Sequence, residues 1–424
     1  MSLVRIFTVL FAMCFFSMTL VAEDSSSSFK QQKKLLILSS TGGGGHAAAA
    51  ATIRRVVGDE YAIHIIHPID QLRIWSVPYA ERIYNQMLQS GWTRSMNFIV
   101  RHIAPHLFNT REEKLEHIIG TAIEAFDPDL VVSLIPFVNY PATEAARVHN
   151  VPYLLITTDN NLRNWVHGLE KLKHPQFKVT IGNDLPTSRD LLLEKNIPEE
   201  SILTIGLPLR PEFIEVKDNA KIKQELGIEP NKPVILLMMG GAGGNKAFEY
   251  AKKVGRMDFS AHLVVVAGRN QKLFDDLNRL KIHYNNTMSV FGYTDRVADL
   301  MAVADVIITK PGPGTINEAL AMQLPMLIDN TERSLFWERV NVDVVLNYGV
   351  GERIRHPDQI RGLLSSYLED VGVQKALKAA FTSVPPNRFN GTIKGIIDEM
   401  ASPLSRYGFK STTLDQSRVA EVLD

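Results

Sequence analysis

The chain has 424 residues, too many for one hydrophobic core and enough for two domains with additional segments. Lys+Arg and Asp+Glu are equal at 46 each, so no net basicity points to nucleic acid, and no nucleic-acid partner is expected. Cys14 is the only cysteine, which excludes an intrachain disulfide, a cysteine-based zinc site and, from its place in the chain, a catalytic thiol in the folded body.

Arg5 is followed by a nearly unbroken apolar run from Ile6 to Ala22, then by Glu23, Asp24 and four serines. Residues 1–32 are therefore expected to be a secretory signal cut after Ala22, or a short uncleaved membrane anchor, with a Ser-rich linker. Arg5 lies on one side of the run and Lys30, Lys33 and Lys34 on the other, so the orientation stays open.

Lys33 to Ser40 reads as a first buried strand, Thr41 to His46 as a glycine loop, and Ala47 to Val57 as a helix. Strand, glycine loop and helix form the opening unit of a doubly wound α/β domain, and Tyr61 to His67 is its second strand. Leu72 to Phe108 has no strand pattern. It carries Trp75, Tyr79, Tyr84, Trp92, Phe98 and Phe108, with Arg73, Arg82, Arg94 and Arg101 between them. It reads as helices whose aromatic and basic faces serve either as core with solvated arginines or as a surface in a membrane interface.

Asp129 to Leu134, Tyr153 to Thr157, Val179 to Ile181 and Ile202 to Ile205 are further strands. The helices Leu115 to Phe126, Ala142 to His149 and Ser188 to Lys195 lie between them, which predicts one parallel sheet over residues 33–205. Gly206 to Pro211 is a break, and 206–215 a linker. Val234 to Met239 and the glycines 240–244 repeat the opening unit. Strands at His262 to Ala267, Met288 to Phe291, Val306 to Ile308 and Met326 to Ile328 follow. A second doubly wound domain is thus expected over 216–385, with a terminal helix and tail over 386–424. Two such domains in tandem leave a cleft between the carboxyl ends of two sheets.

Several side chains in this frame suit chemistry. His46 stands at a helix N-terminus, where imidazolium is disfavoured. It is either a neutral general base for an alcohol or a histidine that caps its own helix. Asp159 follows a strand end, where sites collect, and is otherwise a turn residue; Trp165 and His167 follow it. In the stretch Ile307 to Leu320, Pro311, Gly312, Pro313 and Gly314 stop a strand. Thr315 to Glu318 then reads as a T-x-x-E capping box that opens a helix. Backbone N–H groups and a helix dipole directed at one spot suit a phosphate, and Glu318 is either the cap partner of Thr315 or a ligand of a ribose diol. Glu338 and Asn341 share a helix face, as sugar ligands or as plain surface polars. No metal-ligand set and no P-loop is present in the sequence.

Taken together, these segments resemble the GT-B glycosyltransferases of the monogalactosyldiacylglycerol synthase and processive diacylglycerol glucosyltransferase family. The matching pieces are the glycine loop ending in His46; Thr158-Asp159 with Trp165 and His167; Gly206 to Phe213; glycines 240–244; Ala267 to Asn270; Phe291 to Tyr293; Thr309 to Thr315 with Glu318 and Ala319; and Glu338 with Asn341. The resemblance implies an α/β fold of two Rossmann-like domains and inverting transfer of a hexose from a UDP-sugar to diacylglycerol or a similar lipid, without a metal or other cofactor. It implies His46 and Asp159 as catalytic residues. It implies Gly241, Gly243, Arg269, Phe291, Tyr293, Lys310, Gly312, Pro313, Gly314, Thr315, Glu318, Trp337, Glu338 and Asn341 at the donor, and Gly44, Gly45, Trp75, Trp92 and Trp165 at the acceptor. It further implies a membrane-associated protein that meets a lipid surface, anionic lipids included. An anchor that keeps the body with the UDP-sugar pool fits that chemistry better than export. The alternatives are a UDP-sugar epimerase or hydrolase on the same fold, or a non-catalytic UDP-sugar-binding membrane protein. The chain departs from the family pattern at Ser40, where an Asp is usual, in having four loop glycines rather than three, and at Trp337, where Gln is usual.

Overall fold

The computed structural model describes residues 32–40, 44–72, 87, 92–183, 185–241, 243–244, 246–257, 260–281, 287–331 and 334–403. The leader with Cys14, and also Trp75, Tyr79 and Tyr84, lie outside the described residues. Among the described residues no helix is long and apolar enough to cross a membrane.

The first sheet contains β1 (Lys33–Leu38), β2 (Tyr61–Ile66), β3 (Leu130–Ser133), β4 (Tyr153–Ile156), β5 (Phe177–Ile181) and β6 (Ile202–Thr204) in the order β2-β1-β3-β4-β5-β6. The pairings from β1 through β6 are parallel, with Leu36 beside Val131 and Leu155 beside Val179. Buried apolar residues fill both faces, as a parallel sheet under helices requires. Leu36 and Leu38 join one core, while Leu35 and Ile37 point to the other, the alternation of a strand.

The second sheet contains β7 (Val234–Met238), β8 (His262–Val266), β9 (Thr287–Phe291), β10 (Val306–Thr309), β11 (Met326–Asp329) and β12 (Gly351–Ile354) in the order β12-β11-β10-β7-β8-β9, all parallel. Counted from β7, this is the 3-2-1-4-5-6 order of a doubly wound sheet. In each sheet the winding reverses once, between β1 and β3 and between β7 and β10. Ligands bind outside the carboxyl ends of strands at such switch points.

Two local differences from the sequence reading affect the site. The first glycine loop is shorter than expected, because the helix Gly44–Val57 takes in Gly44, Gly45 and His46. The capping box at Thr315 does not form. Gly312 is the N-cap, no side chain caps it, and the helix Pro313–Ala321 starts on Pro313, whose fixed φ and missing N–H suit a first helical position. β12 was not foreseen. The helix Phe389–Met400 packs on the first domain: Phe389, Ile393 and Ile397 are buried with Leu35, Ile37 and Ile53. Tyr61 donates to Asp398 at 2.5 Å, and Lys394 pairs with Glu60 at 3.0 Å.

Candidate active site

At the first switch point, the helix Gly44–Val57 presents His46 from its first turn. The half-buried ring hydrogen-bonds the Leu134 carbonyl, one residue beyond β3, and its Nδ1 lies 3.3 Å from Thr158 Oγ1. Burial outweighs the Leu134 bond and lowers the His46 pKa, so the imidazole is neutral at pH 7. Trp165 packs beside it with ring centroids 6.0 Å apart, but at 3% exposure it backs the histidine rather than facing open space. Gly44 and Gly45 are exposed, with nothing near the position a Cβ would take.

Asn139 holds this pocket, and the sequence reading passed over it. Its buried amide accepts from Ser133 Oγ and Tyr153 Oη at 2.7 and 2.9 Å, and donates to the Ile135 and Trp165 carbonyls at 3.2 and 2.9 Å. All its bonding capacity is used, as a buried amide requires.

Asp159 leaves the end of β4 in an Asx turn, accepting from Asn161 N at 3.2 Å. The turn reading of this residue is thus correct, and it is not the whole account. Burial pushes its carboxyl up to about 7, Glu338 adds to the rise, and two backbone bonds and Lys310 oppose it. A carboxyl poised near neutrality in a cleft has the property a general base needs. Glu338 and Lys310 belong to the second domain, so Asp159 stands where the domains meet.

At the second switch point, Lys310 leaves β10 and Gly240 leaves β7. A Cβ on Gly240 would lie 2.9 Å from Lys310 Cε, and one on Gly312 would lie 3.9 Å from Lys310 Nζ. The lysine is therefore sandwiched between both glycine turns. Its Nζ pairs with Glu338 Oε1 at 2.7 Å. Gly314 is exposed, and Pro313 and Thr315 are partly so, at the N-terminus of Pro313–Ala321. A lysine, exposed turn backbone and a helix N-terminus are features that suit a diphosphate.

The glycines of the 240–244 loop divide by role. Gly241 is exposed and open. Gly243, at φ +74°, is buried against the next turn: a Cβ there would lie 2.0 Å from the Ala267 carbonyl, and Asn270 Nδ2 donates to its carbonyl at 2.9 Å. The second turn places Arg269 4.5 Å over the exposed Tyr293 ring, next to Phe291 at the end of β9.

Glu318 is neither a cap nor a free carboxylate. Its Oε1 accepts from Arg210 Nε and a terminal guanidinium nitrogen at 3.1 and 2.9 Å. Burial still raises its pKa, against that cation. Arg210 comes from the linker, within the Gly206 to Phe213 match, and no role was predicted for it. Glu338 and Asn341 are 6% and 0% exposed, which rules out surface polars. The Asn341 amide donates to the Pro311 carbonyl at 3.0 Å and accepts from Asn160 Nδ2 at 3.0 Å. Trp337 is half-buried, edge-on to Phe336.

The aromatic region divides likewise. Phe108 is buried and stacked on Phe137, whereas Trp92, Phe98, Ile99 and Ile103 are 59%, 60%, 36% and 46% exposed. They lie on or beside consecutive helical segments spanning 93–109, with exposed Arg94, Arg101 and His102 among them. Core packing therefore accounts for Phe108 and leaves the rest as an apolar and basic surface.

Two six-stranded parallel sheets flanked by helices, each with one switch point, match the GT-B fold. Solved structures agree: the chain superimposes on MurG of Acinetobacter baumannii with a TM-score of 0.59 at 14% identity, over 87% of this chain and 99% of that one. A glycotransferase of kitacinnamycin gives 0.57 at 16%, over 88% and 100%. Residues 235–331 match the Glycosyltransferase family 28 C-terminal domain. The chain is 26% identical over 328 residues to monogalactosyldiacylglycerol synthase of Spinacia oleracea, covering 73% of this chain and 60% of the relative. It is 27% identical over 236 residues to processive diacylglycerol beta-glucosyltransferase of Bacillus subtilis, covering 54% and 60%. The resemblance carried by the motifs is thus found across the aligned sequence as well. The chain matches about 60% of the length of these curated relatives.

Proposed function

We propose that the protein transfers a hexose from a UDP-sugar to diacylglycerol or a similar lipid alcohol, with inversion at the anomeric carbon, as a step in glycolipid synthesis. The observation that carries this reading is the meeting of Asp159, poised near neutrality, with the Lys310–Glu338 pair of the other domain. It suits a proton acceptor from one domain working beside an anion site of the other. The names of the relatives support a hexosyl transfer to diacylglycerol, and include both a galactosyl and a glucosyl product.

In this reading uracil lies by Phe291 and Tyr293 under Arg269. Ribose reaches Glu318, which Arg210 orients. The diphosphate lies on Gly241, Gly312, Pro313, Gly314 and Thr315 beside Lys310, while the hexose faces Trp337 and Glu338. Gly243 acts from behind, by holding the glycine turn against its neighbour. The lipid hydroxyl enters over Gly44 and Gly45, where neutral His46, backed by Trp165, orients it. Its oxygen attacks the anomeric carbon, its proton passes to Asp159, and the bond from that carbon to the diphosphate oxygen breaks. UDP leaves with the charge that Lys310 and the helix N-terminus stabilise. Trp92, Phe98, Ile99 and Ile103 enter the membrane interface, with Arg94 and Arg101 meeting anionic headgroups.

The test is release of UDP from a panel of UDP-hexoses, with and without vesicles containing diacylglycerol. Release that needs the lipid, with hexosyl-diacylglycerol as product, is the expected result. Equal release without lipid makes the protein a UDP-sugar hydrolase. A UDP-sugar epimer as product makes it an epimerase, and UDP binding without turnover makes it a binding protein.

A further inference from the structure

We propose that Asn341 and Asn160 form a latch between the two domains that positions Asp159 on the reacting carbon, and that Asn341 is not a ligand of the donor sugar. The catalytic part of this inference rests on the function proposed above.

A string of amide groups runs from one domain to the other. Asn183 Nδ2 donates to Asn160 Oδ1 at 3.1 Å, Asn160 Nδ2 to Asn341 Oδ1 at 3.0 Å, and Asn341 Nδ2 to the Pro311 carbonyl at 3.0 Å. Ser188 Oγ holds the Asn160 carbonyl at 2.9 Å. The two central residues are buried, at 4% and 0% exposure. Asn160 directly follows Asp159, and Pro311 lies between Lys310 and Gly312. The string therefore ties the turn that carries the base to the turn that cradles the diphosphate. The Asn341 amide spends one N–H and one lone pair on these partners, and at 0% exposure it turns no open side to a sugar hydroxyl. Exchanging those partners for a ligand would strand the Asn160 amide and the Pro311 carbonyl in a buried place, which is costly.

Geometry matters most where two bound groups must meet. Misplacing a base by about 1 Å can cost about a hundredfold in rate. Donor binding needs only the second domain. Loss of the latch should therefore lower kcat and leave the KM for the UDP-sugar nearly unchanged, whereas loss of a sugar contact should change sugar preference.

The experiment uses the full chain with Asn160→Ala, Asn341→Ala, the double variant, and Asn183→Ala as a milder break at the far end of the string. Each variant is first checked for UDP binding by calorimetry, which reports an intact second domain. Expected are kcat losses of at least tenfold in both single variants, a donor KM within threefold of wild type, and a double variant no slower than the slower single one. Asn183→Ala should show a smaller loss of the same kind. A raised donor KM for Asn341→Ala, a changed ratio of rates between UDP-hexose epimers, and losses that multiply in the double variant would overturn the latch. A readout independent of turnover separates this from failure of the transfer reading: the distance between spin labels at Val148→Cys and Val371→Cys, in a Cys14→Ser background. Both positions are exposed, one in each domain. The latch predicts a broadened distance distribution in Asn160→Ala and Asn341→Ala, but not in the parent. Unchanged distributions overturn it. Broadened ones in a protein that makes no glycolipid leave the latch and remove the transfer.

Discussion

The same unit opens both domains, a buried strand followed by a glycine loop and a helix, yet the two copies are put to opposite uses. After β1 the helix starts within the glycines, so Gly44 and Gly45 stand open on its first turn and His46 is carried out as a side chain. After β7 the glycines take left-handed backbone at Gly240 and Gly243, fold against the 267–270 turn, and bring Lys310 over the loop. In the proposed transfer, the first copy offers a titratable group to the incoming hydroxyl, and the second a cationic seat to the leaving anion. A glycine-rich loop therefore predicts close approach without saying what approaches: backbone in one domain, open space in the other.

The largest effect expected from breaking this division is at the junction. Asp159→Asn should lower kcat by about 10²–10⁴, the usual worth of a positioned base. It should also change stability with a definite sign. Asp159 has a folded pKa of about 7, above the 3.8 it has when exposed, so its contribution is fully present below pH 4 and is lost as pH rises through 7. Thermal unfolding should show the Asn variant gaining on wild type at pH 8 relative to pH 5. An equal difference at both values would refute the buried, neutral-range carboxyl.

Next in size is the packed loop. Gly243→Ala forces a Cβ to 2.0 Å from the Ala267 carbonyl at φ +74°. It should cost about 3 kcal/mol by denaturant titration, from left-handed strain plus overpacking. A change below about 0.5 kcal/mol would mean the loop is not seated as described.

At the proposed lipid surface, Trp92→Ala with Phe98→Ala removes two exposed aromatic side chains. Sedimentation with anionic vesicles should show binding weakened about a hundredfold or more, for each aromatic contributes ~1.5–3 kcal/mol when it enters lipid. UDP affinity should not change. Unaltered vesicle binding would return these residues to the ordinary surface.

The smallest effect tests the open copy of the loop. Gly45→Ala meets nothing within 4 Å and sits in a helix, so it should be neutral or stabilise by up to about 1 kcal/mol in a melting experiment. Together with the Gly243 result, it measures the contrast between the loops directly. A destabilisation as large as that of Gly243→Ala would erase the contrast.

The sheets were legible because their strands are continuous runs of Val, Ile and Leu bounded by Gly and Pro, as buried parallel strands are. β12 was missed because Gly351, Glu352, Arg353 and Ile354 include only one strongly apolar residue, enough for the edge of a sheet but not a signal on its own. The T-x-x-E match at Thr315 to Glu318 was a coincidence of spacing. The N-cap falls at Gly312, three residues before Thr315, and Glu318 turns to a guanidinium 108 residues away. The pairing of Glu318 with Arg210, the bracing of the histidine pocket by Asn139 and the Asn160–Asn341 bond all depend on contacts distant in sequence, which no local pattern encodes. The individual catalytic candidates could be found because Asp159 follows a strand end and His46 follows a run of glycines. Their mutual placement could not.

The pH dependence of kcat/KM tests the central claim, that a base from one domain is tuned by an ion pair of the other. The account predicts an acid limb with its midpoint near pH 7. The midpoint should move down in Glu338→Gln, which removes a like charge, and up in Lys310→Met, which removes a counter-charge. A limb well below pH 6.5 that neither substitution moves would contradict it and give the base to His46, whose burial keeps its pKa low.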